Sequence, residues 1–529
     1  MKKLLKMMIT LLAVLMILTG CGGSSDDTDD TAAEEKIVTY ALAGTWNTLQ
    51  PGHFVETAYY GPMIWNQLYD TLAYTDGTTY LPRGAKSWSI DETGTVLTFV
   101  LDETAKFSDG EAVTAEDWVF SAKLLANADF SLDQSKFPYL LTGTDENGYL
   151  VDEDSFGVVA LDDYTLQITV KDPTTCEGFL GTANHFYNVF PAHCFEGMSA
   201  AEVAADSFWE NPVTSGAWVV ESHVVNATLT LVPNEYYHLG TKLDKLVYTF
   251  LDSSNFAASM MSGSVDYAFP AVDPKQGASL VAADNVTVEV SDYPYTTFYS
   301  YINNEKVSEE VRIAIDMAID KETIVSQLFG DGAVAVESLV LYGSDEYNTD
   351  LEHRYDPEAA KAALEASDWD MDETFLLLTP SGTRSQIATI VQQELEAIGM
   401  KVEVQTVGIG TLYATAQKGD CHAIIGQGAA QLENPFYWSY NYSVDNADAT
   451  CVHNHDRQYE EIEAKYVASS DADEKVALAK EAQQAYYDHA LIVPIAQVYD
   501  YNAYANRLTG INTAYTNYYI DNTWEWDVQ

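Results

Sequence analysis

LTFVLDETAKFSDGEAVTAEDWVFS, residues 97–121, changes from one kind of regular structure to another within a single short stretch. Thr95 to Leu101 (TVLTFVL) alternates β-branched and aromatic side chains, the pattern of a half-buried strand. Asp109-Gly110 then turns the chain. Thr114 stands where a helix needs its N-cap, and Glu116 and Asp117 follow in the first turn, where the helix dipole favours acids. Trp118, Ala122 and Leu125 share one face of that helix. A strand followed directly by a turn and a helix points to mixed α/β organisation.

Outward from this stretch the same alternation recurs. Ser308 is expected to cap a helix whose apolar stripe is Val311, Ala314, Ile315, Ala318 and Ile319. Asp320 opens another, with Ile324 and Leu328 inward. Asp356-Pro357-Glu358 supplies a capping acid, a proline at the first helical position and an acid after it. Ile387, Ile390, Val391, Leu395 and Ile398 form a further stripe that Gly399 terminates, and Lys401-Val402-Glu403-Val404-Gln405 resumes strand alternation. A chain of 529 residues is too long for one core and implies two or more lobes.

The start of the chain specifies a destination. Lys2, Lys3 and Lys6 precede an apolar run from Met7 to Leu18, which is the length of a signal-peptide core and too short to span a bilayer at ~20 residues. Leu18-Thr19-Gly20-Cys21 resembles the bacterial lipobox. That resemblance implies that residues 1–20 are removed and Cys21 is diacylated, with two acyl chains anchoring the protein to the bilayer. Residues 21–36 are acidic and lack apolar anchors, as a disordered tether would be. The whole chain carries 80 acidic and 26 basic side chains, a net charge of −54 that opposes binding to nucleic acid. With Cys21 acylated, Cys176, Cys194, Cys421 and Cys451 remain as disulfide candidates, and Cys176/Cys194 with Cys421/Cys451 is the preferred pairing.

Taken in order, the punctuated segments resemble the family 5 solute-binding proteins of ABC importers, of the oligopeptide- and dipeptide-binding type. Leu97–Ser121 looks like that family's strand, "F-x-D-G" turn and "T-A-x-D-V" helix. Asn234 to Ala268 (NEYYHLGTKLDKLVYTFLD leading to SGSVDYA) is similar to its "N-x-x-Y … G-x-x-D". Val311-Arg312 through Asp320-Lys321, Tyr355-Asp356-Pro357-Glu358, Leu395 to Val404 with Lys418-Gly419-Asp420, and finally Ile492-Val493-Pro494-Ile495 with Asn506–Gly510 follow in the family's order. The resemblance implies a two-lobed α/β clamp of the long type II class of periplasmic binding proteins. Lobe I would hold residues 37–290, with an inserted subdomain at about 61–205. Lobe II would hold 291–494, and 495–529 would return to lobe I.

It also implies where a ligand would sit. The loop after the first strand offers Glu56, Tyr59 and Tyr60, and a second segment runs from Gly426 to Pro435. Peptide-binding relatives carry an acid in that segment to meet the peptide ammonium group; here Gln431 takes its place. A buried ammonium without a carboxylate is costly, so Glu433 or Glu56 must supply the charge, or the ligand has no free amino terminus. Gln427 lies within the segment, and Tyr437, Trp438, Tyr440 and Tyr442 follow Pro435, while Gln497 and Tyr499 would reach the cleft from lobe I. No G-x-S-x-G, H-E-x-x-H or Walker sequence is present. His453-Asn454-His455-Asp456 beside Cys451 reads as a polar loop, and neither a metal nor a cofactor is expected. The expectation is therefore a non-enzymatic receptor on the outer face of the membrane that passes a small ligand to ABC permease subunits. A peptide is the first choice of ligand and an oligosaccharide the alternative; a secreted hydrolase and a sensory receptor are the rivals in other classes.

Overall fold

The computed structural model describes residues 35–43, 48–51, 61–75, 79–130, 136–183, 186–269, 273–430, 435–436, 451–454, 457–469, 471–511 and 522–529. Two large sheets dominate it, and both lie within the unit Lys36–Gln529. The first has seven strands in the spatial order Val286–Val290, Tyr501–Ala505, Tyr267–Phe269, Ile37–Leu42, Lys245–Phe250, Thr228–Pro233 and Trp218–Val224. The second has six, in the order Ala333–Ala335, Ile492–Val498, Thr296–Ile302, Ala423–Ala429, Thr374–Thr379 and Lys401–Thr406. This is the two-lobed α/β arrangement read from the sequence.

Both sheets are covered on both faces, and the pleat shows how. On the first strand Val38, Tyr40 and Leu42 enter the largest apolar cluster, which also contains Trp118, Trp218 and Trp526. Their neighbour Ala41 points the other way, onto Phe256, Met260 and Leu280. On the second sheet Phe298, Ile302, Ile425 and Ile495 pack on one side, while Tyr299, Tyr301, Ile424 and Ile492 pack on the other. Strands buried on both sides need near-continuous apolar runs, which is what Ala423–Ala429 and Ile492–Val498 supply.

A smaller sheet of four strands, ordered Ala85–Ile90, Val96–Leu101, Thr165–Thr169 and Val158–Asp162, is inserted between the first and later strands of lobe I. The helix Ala115–Leu125 packs on it and begins at the expected N-cap with a capping box: Thr114 donates from its backbone nitrogen and its hydroxyl to Asp117 Oδ2, each at 2.8 Å. Asp117 does more than cap. Its Oδ1 accepts from Ala192 N at 3.1 Å, fixing a distant loop to the helix start. Ser308, by contrast, begins the helix Glu309–Ala318 without capping it, because its hydroxyl donates to Asp368 at 2.6 Å.

The chain crosses between the large sheets twice among the described residues. It leaves lobe I after Val290 and enters lobe II at Thr296; it leaves lobe II after Val498 and re-enters lobe I at Tyr501. The return therefore falls a few residues later than position 495, which lies inside a lobe II strand. Pro494 does not break that strand; it stands where the register with Thr296–Ile302 shifts, which is where a sheet tolerates a missing donor.

Two buried cations are closely paired. In lobe II, Lys321 Nζ lies 2.9 Å from Asp316 Oδ1 and 2.6 Å from Glu337 Oε2, all three side chains being buried. Burial alone would lower the lysine's pKa, but the two carboxylates overcome it and raise it. In lobe I, Arg83 reaches Asp70 at 2.5 Å and lies over the Trp524 ring at 4.6 Å.

Candidate ligand cleft

In open sheets containing parallel strands, ligands gather outside the carboxyl ends of those strands. Lobe I has three such neighbours, Ile37–Leu42, Lys245–Phe250 and Tyr267–Phe269. Lobe II has another three, Thr374–Thr379, Lys401–Thr406 and Ala423–Ala429. The candidate loops leave from these ends. Residues 52–60, with Glu56, Tyr59 and Tyr60, follow the first strand. Residues 431–434 and 437–450, with Gln431, Glu433, Trp438, Tyr437, Tyr440 and Tyr442, follow Ala423–Ala429. All of these side chains lie outside the described residues.

Gln427, Gln497 and Tyr499 are described, and the structure separates them. Gln427 is exposed on its strand, two residues before the carboxyl end. Tyr499 is half-buried on the second crossing, and its backbone nitrogen donates to Gly332 O at 3.0 Å. Gln497 does not reach a cleft. It is fully buried, its Oε1 accepts from Tyr342 N at 2.7 Å and its Nε2 donates to Val340 O at 2.9 Å. Both ends of the amide are thus committed to holding the 338–342 loop against the sheet. His453 is tied in the same way, through Nε2 to Ala416 O at 2.8 Å.

At the carboxyl end of lobe II the structure adds residues the sequence reading passed over. The Tyr299 ring covers Gly426 so closely that a Cβ there would stand 2.1 Å from it, so only glycine fits. Tyr299 and Tyr301 lie 4.4 Å apart, and Tyr413 and Arg384 complete the group through side-chain hydrogen bonds and charge. Burial raises the Tyr299 and Tyr413 hydroxyls, so both remain neutral donors at neutral pH. Arg384 opens the helix Thr383–Ala397 immediately after the strand end at Thr379, which places a cation on this edge. The only hint in sequence was an arginine ahead of an apolar stripe.

A separate concavity of about 640 Å³ opens beside the edge strand Ala333–Ala335 and is lined by residues including Glu322, Glu337, Tyr342 and His353. Its size suits a small ligand, but Glu337 is already held by Lys321 and by His353 Nδ1 at 2.7 Å. The four cysteines expected as two disulfides are free thiols here. Cys421 and Cys451 share one buried cluster, where burial raises their pKa values to about 11 and about 12. Cys176 and Cys194 stand on separate elements, Cys176–Ala183 and Ala192–Phe195.

The crossings join beside these edges. Ser291 N donates to Asp500 O and Asp500 N donates to Ser291 Oγ, both at 2.9 Å, while Thr296 Oγ1 donates to Asp500 Oδ1 at 3.0 Å. On lobe II's side Ala430 N donates to Tyr295 O at 2.7 Å, so the crossing is fastened directly to the end of a candidate strand. Gly332, from lobe II, meets Pro274 and Tyr501 of lobe I; a Cβ there would stand 2.2 Å from the proline ring. Burial holds the Asp500 carboxyl up at about 6, although the Thr296 hydroxyl pulls the other way.

Comparison with known proteins agrees with this geometry. The family model described as bacterial extracellular solute-binding proteins, family 5 matches residues 79–450. The periplasmic oligopeptide-binding protein OppA of Salmonella typhimurium is 26% identical over 78% of each chain. The di/tripeptide-binding protein 2 of Pseudomonas aeruginosa is 23% identical over 84% of this chain and 86% of its own. Among solved structures, the Escherichia coli murein tripeptide binding protein MppA superposes with a TM-score of 0.77 at 19% identity, covering 94% of this chain and 99% of that one. DppA from Helicobacter pylori, in complex with the peptide STSA, gives 0.75 at 19% identity over 93% and 98%.

Asp500→Asn leaves an acceptor for Thr296 and removes the charge. The folded protein keeps the Asp500 proton up to about pH 6, whereas an unfolded chain releases it at about pH 4. The ionised carboxylate therefore opposes folding above pH 6 and costs nothing below pH 4. In urea titrations the variant is expected to exceed the wild type by about 3 kcal/mol at pH 8, an advantage that vanishes by pH 4. An equal difference at both pH values, or a loss at pH 8, would contradict this role.

Proposed function

The chain belongs to the family 5 bacterial extracellular solute-binding proteins, and we propose that it captures a peptide between its two lobes and delivers it to the permease of an ABC importer. The observation that supports this most is architectural. Two sheets, each presenting the carboxyl ends of three parallel neighbours, are joined by short crossings at residues 291–295 and 499–500. Such a connection lets one lobe turn against the other, and a ligand touching both favours the closed state by the contacts it makes only there. The relatives supply the ligand class: the Salmonella protein is an oligopeptide-binding protein and the Pseudomonas protein a di/tripeptide-binding protein.

In this reading binding and release involve no chemistry on the ligand. The proposed ligand set is Gln427 and Arg384 at lobe II's edge together with Gln431, Glu433, Trp438, Glu56, Tyr59, Tyr60 and Tyr499. The neutral Gln431 requires Glu433 or Glu56 to meet a peptide ammonium group, while Arg384 suits its carboxylate. Acylated Cys21 would hold the protein on the outer face of the membrane, close to the permease, with residues 21–36 as its tether. No described helix is long and apolar enough to cross a membrane.

Native mass spectrometry of the purified protein tests the ligand. A bound mass that denaturation releases, and that fragments as a peptide, is expected; a released glycan would overturn the choice of ligand class. Cys21→Ser tests the anchor. The variant is expected to lose fatty-acid incorporation and move from the membrane fraction to the soluble exported fraction. Unchanged labelling would place the acyl chains elsewhere or remove them from the account.

A further inference from the structure

The turn quoted at the outset holds a group that ligand capture does not use. Asp109 lies in it, and His193 and Cys194 lie in the short helix Ala192–Phe195. One donor atom from each of the three side chains stands within 4.8 Å of the others. His193 Nε2 is 2.8 Å from Asp109 Oδ2, so two of the three donor atoms already face one another. Around zinc, at about 2.0–2.3 Å from its ligands, tetrahedral donors sit roughly 3.3–3.8 Å apart, so small side-chain rotations bring these three into place.

Both segments are held by bonds that leave the donor atoms free to turn. Ser108 N donates to Thr214 O at 2.8 Å and Thr214 N donates to Ser108 Oγ at 2.9 Å, which fixes the turn. Ala192 N donates to Asp117 at 3.1 Å, and Phe107 meets the His193 ring edge-on at 5.5 Å, which fixes the other side. The cluster is open to solvent, with the His193 and Asp109 side chains 34% and 33% exposed. Charge favours a cation too. Burial, followed by the neighbouring carboxylates of Asp109 and Asp117, pushes the Cys194 thiol up to about 11. The same carboxylates that oppose a bare thiolate attract a divalent ion, and a coordinated thiol gives up its proton.

We propose that Asp109 Oδ2, His193 Nε2 and Cys194 Sγ form a surface site for a divalent transition-metal ion of the zinc class. A thiolate, an imidazole and a carboxylate are the donor types zinc accepts, and water would complete the tetrahedron. Binding releases the thiol proton, so affinity rises with pH. The site joins the turn at Asp109 to the short helix Ala192–Phe195.

Cobalt(II) reports directly on the thiol. The intact chelator-treated protein, titrated with cobalt, is expected to show a sulfur-to-metal charge-transfer band that saturates at one ion per chain and that zinc abolishes. Cys194→Ser should remove the band while Cys176, Cys421 and Cys451 remain. Asp109→Asn, which retains a polar partner for His193, should weaken zinc binding at least about tenfold. A band that persists in Cys194→Ser, cobalt bound without a charge-transfer band, or binding only at millimolar metal would each overturn the site.

Discussion

Ser291 and Asp500 exchange hydrogen bonds across the two points at which the chain passes between its sheets. The clamp action proposed for this molecule would depend on that short junction. The flanking strands are firmly paired, Val286–Val290 with Tyr501–Ala505 on one side and Thr296–Ile302 with Ile492–Val498 on the other. Few residues are left between them to absorb a change of angle. The close approach of Gly332 to Pro274 and Tyr501 limits the motion further, because lobe II meets lobe I there with no room for another side chain. The closure proposed would thereby be a hinge motion, in which a few backbone angles change and the packed lobes do not.

The lobes must then be stiff enough to transmit ligand contacts to the junction. Each has an apolar core on both faces of its sheet, and the cations Arg83 and Lys321 that they bury are matched. Lys321 between Asp316 and Glu337 exemplifies the cost of disturbing such a match: removing one partner leaves a charge in the interior without its counter-ion. Ala430, bonded to Tyr295, links the end of a candidate binding strand to the crossing itself. A ligand that draws on this strand end acts one residue away from the hinge.

What could be read from sequence was local. Thr114 with Asp117, Asp320 with Thr323, and Asp356 with Pro357 mark helix starts through partners within a few residues, and each is found at the helix start expected. Ile387, Val391 and Leu395 repeat at helical spacing and are buried as a stripe. Reading failed where partners are remote. Gln497 looked polar and available, but the groups that bind it lie 155 and 157 positions away. Asp500 carried no signal of its raised pKa, which comes from being enclosed by the crossings. Arg384 was visible only as one charged residue before a helix, and His193 met Asp109 only through folding, 84 positions apart. The side chains that followed from family resemblance, from Glu56 to Trp438, fall largely outside the described residues.

Closure about the junction is the central claim, and small-angle X-ray scattering measures it directly. The protein stripped of ligand by unfolding and refolding should contract, with a smaller radius of gyration, when the peptide recovered from it is added back to saturation. A radius unchanged at a concentration where calorimetry shows the peptide fully bound would mean that the lobes do not close on their ligand.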